Sequence, residues 1–279
     1  MDGRDLVGPI RVLSDLHLGH SACALKDVRE IRPLLEGAGT VIFNGDTAEV
    51  RSRGFKQRAA EEQAKLSAML KELGVRQAVY VTGNHDSRIS ETHHVDLCEG
   101  KVLVTHGDFL FRYVSPWSKK LRHCRPRIDA ILEAADSVRL ESDFEYRLEI
   151  TRQCCDVLEV STSVSPKDLR GFVRYVGAEV WPPTRLLTII SVWLKSPKLM
   201  AAALEAYRPD AKAVAFGHVH YPRIWTRQDR LLINLGGFLN MAKAKVLEID
   251  GSMLTVRPVV HRDRECRLGD CEKSLDLEA

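Results

Sequence analysis

The sequence has few of the features that mark secreted, membrane-spanning or cysteine-based metal-binding proteins. It has seven cysteines, an odd number that does not suit a disulfide framework, and none of them forms a Cys-x-x-Cys pair. We therefore expect reduced thiols in a reducing, cytoplasmic compartment. The first residues carry acidic charges and no apolar core of signal-peptide length. No run approaches the ~20 apolar residues that a membrane-spanning helix needs, so no such helix is expected.

The chain also lacks a strong charge imbalance, internal repeats and low-complexity segments. Its formal net charge is +3 over 279 residues, which neither requires nor excludes a nucleic-acid partner. A hydrophobic content of 44% is enough to bury a sizeable core. We expect one domain, or one domain with an insertion, rather than two domains of equal size.

The first eighty residues alternate between strand-like and helix-like patterns. Strands are predicted at 10–14, 40–43 and 78–82. The stretch 25–36 has a helical rhythm that Pro33 should interrupt, and 56–73 forms an amphipathic pattern with Gly74 placed as a C-cap. This alternation predicts the α/β class.

The second half of the chain begins with helix-like patterns and ends with strands. Helices are predicted near 127–160, 166–177 and 197–206, with Ser165-Pro166 and Ser196-Pro197 as helix starts. Strands are predicted at 213–216, 231–234, 245–249 and 253–258, the last two joined by an Asp250-Gly251 turn. The charged tail after His261 is expected to be frayed.

Five apolar runs end in Asp, Asn or His side chains. They are Ser14-Asp15-Leu16-His17, Asn44-Gly45-Asp46, Gly83-Asn84-His85-Asp86, His106-Gly107-Asp108 and Gly217-His218-Val219-His220. Asp15 and His17 are two residues apart, so on an extended backbone both side chains point the same way and can reach one ion. Carboxylate, imidazole and amide oxygen suit divalent ions such as Mn, Fe, Mg and Zn. Five such strand ends together predict a metal site.

This series of motifs resembles the signature of the calcineurin-like metallophosphoesterases, in the family's order. The match covers residues 10–111 and 211–260. The resemblance implies a four-layer αββα sandwich of two mixed β-sheets, with two divalent ions at the strand ends. Manganese is expected, with Fe, Zn or Mg as alternatives. It implies a metallophosphoesterase domain at 1–111 and 211–262, a helical cap or lid inserted at 112–210, and a charged tail at 263–279.

The resemblance also assigns roles to individual residues. It implies that one ion is held by Asp15, His17, Asp46 and His220, and the other by Asp46, Asn84, His106 and His218. Asp46 would then bridge the two ions, which would lower the pKa of a bridging water and provide hydroxide as the nucleophile. His85 would act as general acid or as a cationic stabiliser of the transition state. Asp86 would accept the other N–H of His85 and fix its tautomer. Glu49 occupies a position where the family often has an Asp behind the ligands.

Two stretches of the insertion bear on the substrate. The segment 117–127 places basic residues beside Trp117, and four of them are candidate substrate contacts: Lys119, Lys120, Arg122 and Arg125. Such a patch suits extra phosphates, an anionic lipid surface or nucleic acid, but it is equally typical of a solvated helix end. The apolar run 186–194 suits a lid that touches acyl chains or a membrane, which would place the protein peripherally at the inner membrane face. The interpretation that we favour is that this run packs inside the helical insertion.

These observations favour hydrolysis of a phosphate monoester or diester. The helical insertion resembles the UDP-diacylglucosamine pyrophosphatase branch of the family, so a pyrophosphatase of such a lipid or of a nucleotide is an alternative. That branch typically carries Arg where this chain has His85. A nuclease is supported only by the basic stretch. A different alternative is a metal-binding interaction scaffold without turnover, although such scaffolds usually lose ligands and all ligand positions are present here.

Overall fold

The computed structural model describes residues 1–52, 54–158, 183–240 and 242–279. Within them, the strands form two sheets. The larger sheet contains β1 (Ile10–Leu13), β2 (Thr40–Asn44), β3 (Gln77–Val81), β9 (Lys245–Asp250), β10 (Met253–Arg262), β11 (Glu265–Leu268) and β12 (Lys273–Asp276). The smaller sheet contains β4 (His94–Leu97), β5 (Val102–Thr105), β6 (Ala213–Phe216), β7 (Arg223–Arg227) and β8 (Arg230–Asn234).

Both sheets mix parallel and antiparallel pairs. In the larger sheet β1, β2 and β3 are parallel neighbours, with Val12 opposite Ile42 and Ile42 opposite Val79. In the smaller sheet β5, β6 and β8 are parallel, with Val104 opposite Ala215. Since parallel neighbours end at the same edge of a sheet, the loops after these strands are brought together.

Alternating side chains of the strands fill different layers of the core. Val12, Ile42 and Val104 belong to a buried cluster that joins the two sheets. Their chain neighbours face outward: Leu13 and Phe43 pack toward the first helices, whereas Leu103 packs toward the later ones. Helix, sheet, sheet and helix therefore form four layers, and the predicted mixed α/β sandwich is confirmed.

Helices α1 (Arg32–Leu35) and α2 (Lys56–Glu72) cover the larger sheet. The predicted interruption at Pro33 is confirmed, because a 3-10 helix at Val28–Ile31 precedes α1 and Pro33 lies in its first turn. The prediction for α2 is also confirmed within one residue. Gly74 follows it with φ +71°, and the amide of Val75 donates to the carbonyl of Leu70, which closes the helix end.

The predicted helix near 127–160 is three helices: α3 (Leu121–Ala134), α4 (Ser137–Ser142) and α5 (Phe144–Val157). The breaks arise from two aspartates that cap new helices. Asp136 accepts from the amides of Val138 and Arg139, and Asp143 accepts from the amide of Tyr146. The prediction of a helix at 166–177, with its start at Ser165-Pro166, lies outside the described residues.

Helix α6 (Pro183–Tyr207) is longer than predicted. The prediction that Ser196-Pro197 starts a helix is wrong, because the helix runs through Pro197 and the Ser196 hydroxyl donates to the Val192 carbonyl one turn earlier. Its C-terminal half packs on the smaller sheet through Met200 and Leu204. The local propensity of Ser-Pro was overridden by this packing.

The N-terminal half of α6 is largely open to solvent. Leu187 and Leu194 are 65% and 74% exposed, whereas Val192 is buried, so the favoured packing of the run 186–194 holds for only part of it among the described residues. By length and composition the stretch Thr184–Tyr207 is apolar enough to cross a membrane, contrary to our expectation for the chain. The same composition also occurs in helices that pack on a domain, as the second half of α6 does.

The expectation of a frayed C-terminal tail is wrong. Strands β11 and β12 both pair antiparallel with β10. Cys266 and Leu277 are buried, although charged residues surround them in the sequence. The frequent charges obscured the apolar positions that face the core. Strands β4 and β7 were also not predicted, since each contains charged or polar side chains.

Candidate metal centre

The loops that follow β1, β2, β3, β5 and β6 meet at one edge of the sandwich and carry all the predicted ligands. Five of these ligands have left-handed backbone conformations, with φ between 48° and 66°. They are Asp15, His17, Asp46, His218 and His220. For residues other than glycine such conformations cost about 1–3 kcal/mol each and persist where the surroundings fix them. Their clustering in these loops is typical of a functional site.

The first group of ligand atoms comes from Asp15, His17, Asp46 and His220. One atom from each residue lies within 4.8 Å of all the others. His220 Nε2 is 3.0 Å from Asp15 Oδ1 and 3.1 Å from His17 Nε2. His17 Nε2 is in turn 3.7 Å from Asp46 Oδ2. Burial holds the pKa of His17 well below its ordinary value, so its imidazole is neutral. Two imidazoles and two carboxylates converging at these distances fit a divalent cation.

The second group adjoins the first through Asp46. His106 Nε2 lies 3.4 Å from both Asp46 Oδ2 and Asn84 Oδ1. The other ring nitrogen of His106, Nδ1, is 3.1 Å from the carbonyl of Asn44 and donates to it, so Nε2 is available as a ligand. Burial disfavours protonation of His106, but the nearby carboxylates of Asp46 and Asp15 outweigh burial and hold its pKa well above the ordinary value. The negative field that raises this pKa also favours a bound cation.

His218 belongs to the same group. Its ring lies 5.2 Å from the ring of His106, measured between centroids. Nε2 is 2.9 Å from the carbonyl of Val114 and donates to it, whereas the buried Nδ1 has no hydrogen-bond partner among the residues that the structure describes. A buried nitrogen lone pair without a donor is costly unless a cation satisfies it. The residues of the second group therefore also fit a divalent ion.

Glycines let the ligand loops approach one another closely. A Cβ at Gly217 would overlap the carboxylate of Asp15 and the side chain of Ser14. At Gly45, with φ +77°, a Cβ would overlap the ring of His106. A side chain at either position would push apart ligands that belong to different strands.

We expect Gly217→Ala to lower the free energy of unfolding by ~1–3 kcal/mol, as overpacking of a filled site does, and to weaken metal binding. The matched control is Gly54→Ala, since among the described residues an added Cβ there would be near Ser52 Oγ alone, at 4.0 Å. Urea unfolding and metal analysis of both variants check this. Metal affinity equal to that of wild type in Gly217→Ala would contradict the close packing of Gly217 on Asp15.

His85 lies next to both groups and is partly open to solvent, with 24% of its side chain exposed. Its backbone amide donates to Asp46 Oδ1 at 2.7 Å, which orients that carboxylate. Its ring is 4.8 Å from the ring of His17. Burial disfavours the charged imidazolium, but Asp46 and Glu49 outweigh this effect and raise the pKa of His85 to about 9. These two carboxylates therefore favour the cationic form of His85.

The role predicted for Asp86 requires correction. The residue that accepts from His85 Nδ1 is Glu49, at 2.6 Å, and not Asp86. Asp86 accepts from the backbone amides of Asp46, Thr47, Ala48 and Gly83. It therefore holds the loop of the shared ligand in place. Its pKa is raised to about 7, chiefly by burial and by the charge of Asp46. Asp86 is adjacent to His85 in sequence, but its side chain faces the loop after β2.

The four candidate substrate contacts are spread over the start of α3. Lys120 lines a cleft beside the metal centre. Lys119 and Arg122 are exposed. Arg125 is also exposed, and it forms an ion pair with Asp129 and lies over the ring of Tyr113. Arg51 was missed, although its guanidinium donates to the carbonyl of Asn84 at 2.8 Å. In the sequence, the position of Arg51 two residues after Glu49 is what indicates that it lies near the ligands.

The sequence model of the calcineurin-like phosphoesterases matches residues 8–222. The chain belongs to this family. The match includes the loops that carry every ligand of both groups, as well as His85. A comparison with curated proteins gives no match.

Several solved structures are weakly similar to this member of the family. A predicted phosphoesterase from Streptococcus pneumoniae is 16% identical, with 95% of this chain and 94% of that chain covered and a TM-score of 0.38. Vacuolar protein sorting 29 from Cryptosporidium parvum is 12% identical, with coverages of 98% and 100% and a TM-score of 0.42. The zinc complex of Vps29 from Entamoeba histolytica is also 12% identical, with 97% of this chain and 99% of that chain covered and a TM-score of 0.39. The family assignment rests on the sequence match.

Proposed function

We propose that this chain is a hydrolase of phosphate monoesters or diesters that depends on two divalent ions, with manganese as the first candidate. The observation that carries the proposal is the position of Asp46. Its carboxylate is close to His17 of the first group and to His106 of the second, at 3.7 Å and 3.4 Å. A carboxylate shared by two groups of ligands is the arrangement that a two-ion centre requires.

The ligands would divide as the two groups do, with Asp15, His17 and His220 on one side, Asn84, His106 and His218 on the other, and Asp46 between them. When bound, two divalent ions would neutralise charge on the phosphoryl oxygens and make a coordinated water more acidic. The described residues would exclude bulk water from the ligands, since Asp15, His17, Asp46, Asn84, His106 and His218 are buried.

His85 is the proposed acid for the leaving group. Its Nδ1–H is held by Glu49, so Nε2 is the nitrogen left to donate a proton to the oxygen of the departing alcohol. Glu49 is buried and keeps the ring in one tautomer and orientation. His85 is more open than the six buried ligands, so its ring is accessible to a substrate.

The test is hydrolysis of an aryl phosphate monoester and the matching diester by protein loaded with manganese, zinc or magnesium. We expect turnover of at least one ester that is lost in chelator and restored by the ion, together with two ions bound per chain. Protein that binds two ions but hydrolyses no ester and no pyrophosphate would instead support a non-catalytic metal-binding scaffold.

A further inference from the structure

A cleft of about 720 Å³ opens next to the candidate metal centre. Four basic residues line it: Arg51, Lys56, Arg88 and Lys120. Among the described residues of this lining, Asp156 is the one that is acidic. The described lining residues therefore carry four positive charges and one negative charge, a net charge of +3. The cleft therefore concentrates positive charge that the overall composition does not require.

The basic residues reach the cleft from four separate segments. Arg51 follows β2, Lys56 begins α2, Arg88 follows β3, and Lys120 directly precedes α3. The cleft adjoins the metal centre because Arg51 donates to the carbonyl of Asn84, a proposed ligand. A ligand of the cleft and a phosphate at the metal centre would thus share one wall.

The two arginines are held in position. Arg51 also donates to the carbonyl of Leu158, and Arg88 donates to Asp156 Oδ2. The Ser87 hydroxyl donates to the other oxygen of Asp156 at 2.7 Å. Guanidinium groups fixed in this way lose little further entropy when they bind an anion.

The two lysines lie at helix N-termini, where a positive charge is unfavourable. Lys56 is the first residue of α2 and Lys120 is the N-cap residue of α3, where the helix dipole favours negative charge. Neither helix has an acidic residue in its first turn or a side-chain cap on its N-cap residue. A bound anion would supply the negative charge and the hydrogen-bond acceptors that these two helix N-termini lack. The stability of α2 therefore gives no reason for lysine at position 56, whereas anion binding does.

We propose that this cleft binds a second phosphate group of the substrate, next to the phosphate held at the metal centre. This inference rests on the proposed function and deepens it. The substrate class becomes compounds that carry two neighbouring phosphates, such as phosphoanhydrides, in preference to simple monoesters. Among the residues named from sequence as substrate contacts, Lys120 is part of this site.

The first test measures binding of inorganic pyrophosphate and orthophosphate by calorimetry, with the full chain in chelator so that no divalent ion contributes. Wild type is expected to bind pyrophosphate more tightly than orthophosphate. Lys56→Glu is expected to weaken pyrophosphate binding at least about tenfold, since it replaces a favourable charge with a repulsive one. The same change should leave folding intact or improve it, because glutamate suits a helix N-terminus.

The controls separate this site from general charge effects. Arg88→Gln should also weaken pyrophosphate binding, whereas Arg29→Gln should not. Arg29 is an exposed arginine paired with an aspartate, as Arg88 is, but it does not line the cleft. Absence of pyrophosphate binding in wild type, or equal affinity in all these variants, would overturn the cleft proposal whether or not the enzyme hydrolyses esters.

The second test uses the metal-loaded enzyme. In Lys56→Glu, the KM of a pyrophosphate substrate and the KM of an aryl monophosphate are each compared with wild type. The factor by which KM rises should be at least about ten times larger for the pyrophosphate substrate. Equal changes in both values would contradict a second phosphate site. If the protein hydrolyses no ester at all but shows the binding difference in chelator, the proposed function fails and the anion site stands.

Discussion

Asp46→Asn is expected to bind fewer than two ions and to lose about 10³-fold or more in kcat/KM, since ions of this kind contribute several kcal/mol to transition-state stabilisation. Asp46 is the ligand that both groups share, at 3.7 Å from His17 Nε2 and 3.4 Å from His106 Nε2. A neutral amide keeps the size of the side chain but is a poor bridge between two cations. Metal analysis and steady-state kinetics measure both effects.

The matched control is Asp15→Asn, which changes a carboxylate of the first group only. This variant should lose affinity for one ion and retain the other. The two variants thus separate a shared ligand from an unshared one. Retention of two ions with wild-type affinity in Asp46→Asn would show that Asp46 does not bridge.

His85→Ala is expected to retain both ions and to lose about 10²–10⁴-fold in turnover, the range for loss of a general acid. The loss should be smaller for an aryl ester than for an alkyl ester, because a phenolate leaves without much help from a proton. The structural reason is that His85 contributes its backbone amide, rather than its ring, to Asp46, and alanine keeps that amide. Metal content is measured beside kcat for each ester.

Glu49→Gln separates positioning from catalysis. Glutamine can still accept from His85 Nδ1 but no longer carries the charge that helps to raise the pKa of His85. We expect kcat to decrease by about 10–100-fold, the usual size for a group that orients a catalytic residue, and the alkaline limit of the pH profile of kcat to shift downward.

Loss of both ions in His85→Ala, or an equal loss of turnover for all leaving groups, would contradict the role of His85 as an acid.

The ligand loops could be predicted from sequence because the signal is local. Each apolar run ends at a polar residue, and parallel strands such as β1, β2 and β3 bring those ends to one edge. Local sequence patterns do not indicate how two sheets pack against each other. The four-layer arrangement was therefore predicted from the family resemblance. The contacts of Val12 and Val104 in one core cluster supply that information.

The errors arose where long-range contacts decide the outcome. The family resemblance pairs Asp86 with His85, whereas Glu49 reaches the ring from another loop. Ser196-Pro197 resembles a helix start, but packing of α6 on the smaller sheet carries the helix through it. The cleft could not be predicted either, since its basic residues come from segments up to about 70 positions apart, from Arg51 to Lys120.

The central claim is that two ions bind at these strand ends with Asp46 between them. Anomalous diffraction from crystals of the manganese-loaded protein tests it most directly. We predict two peaks ~3.5–4 Å apart, both within bonding distance of Asp46, with His218 Nδ1 facing one of them. A single peak, or two peaks of which only one contacts Asp46, would contradict the account.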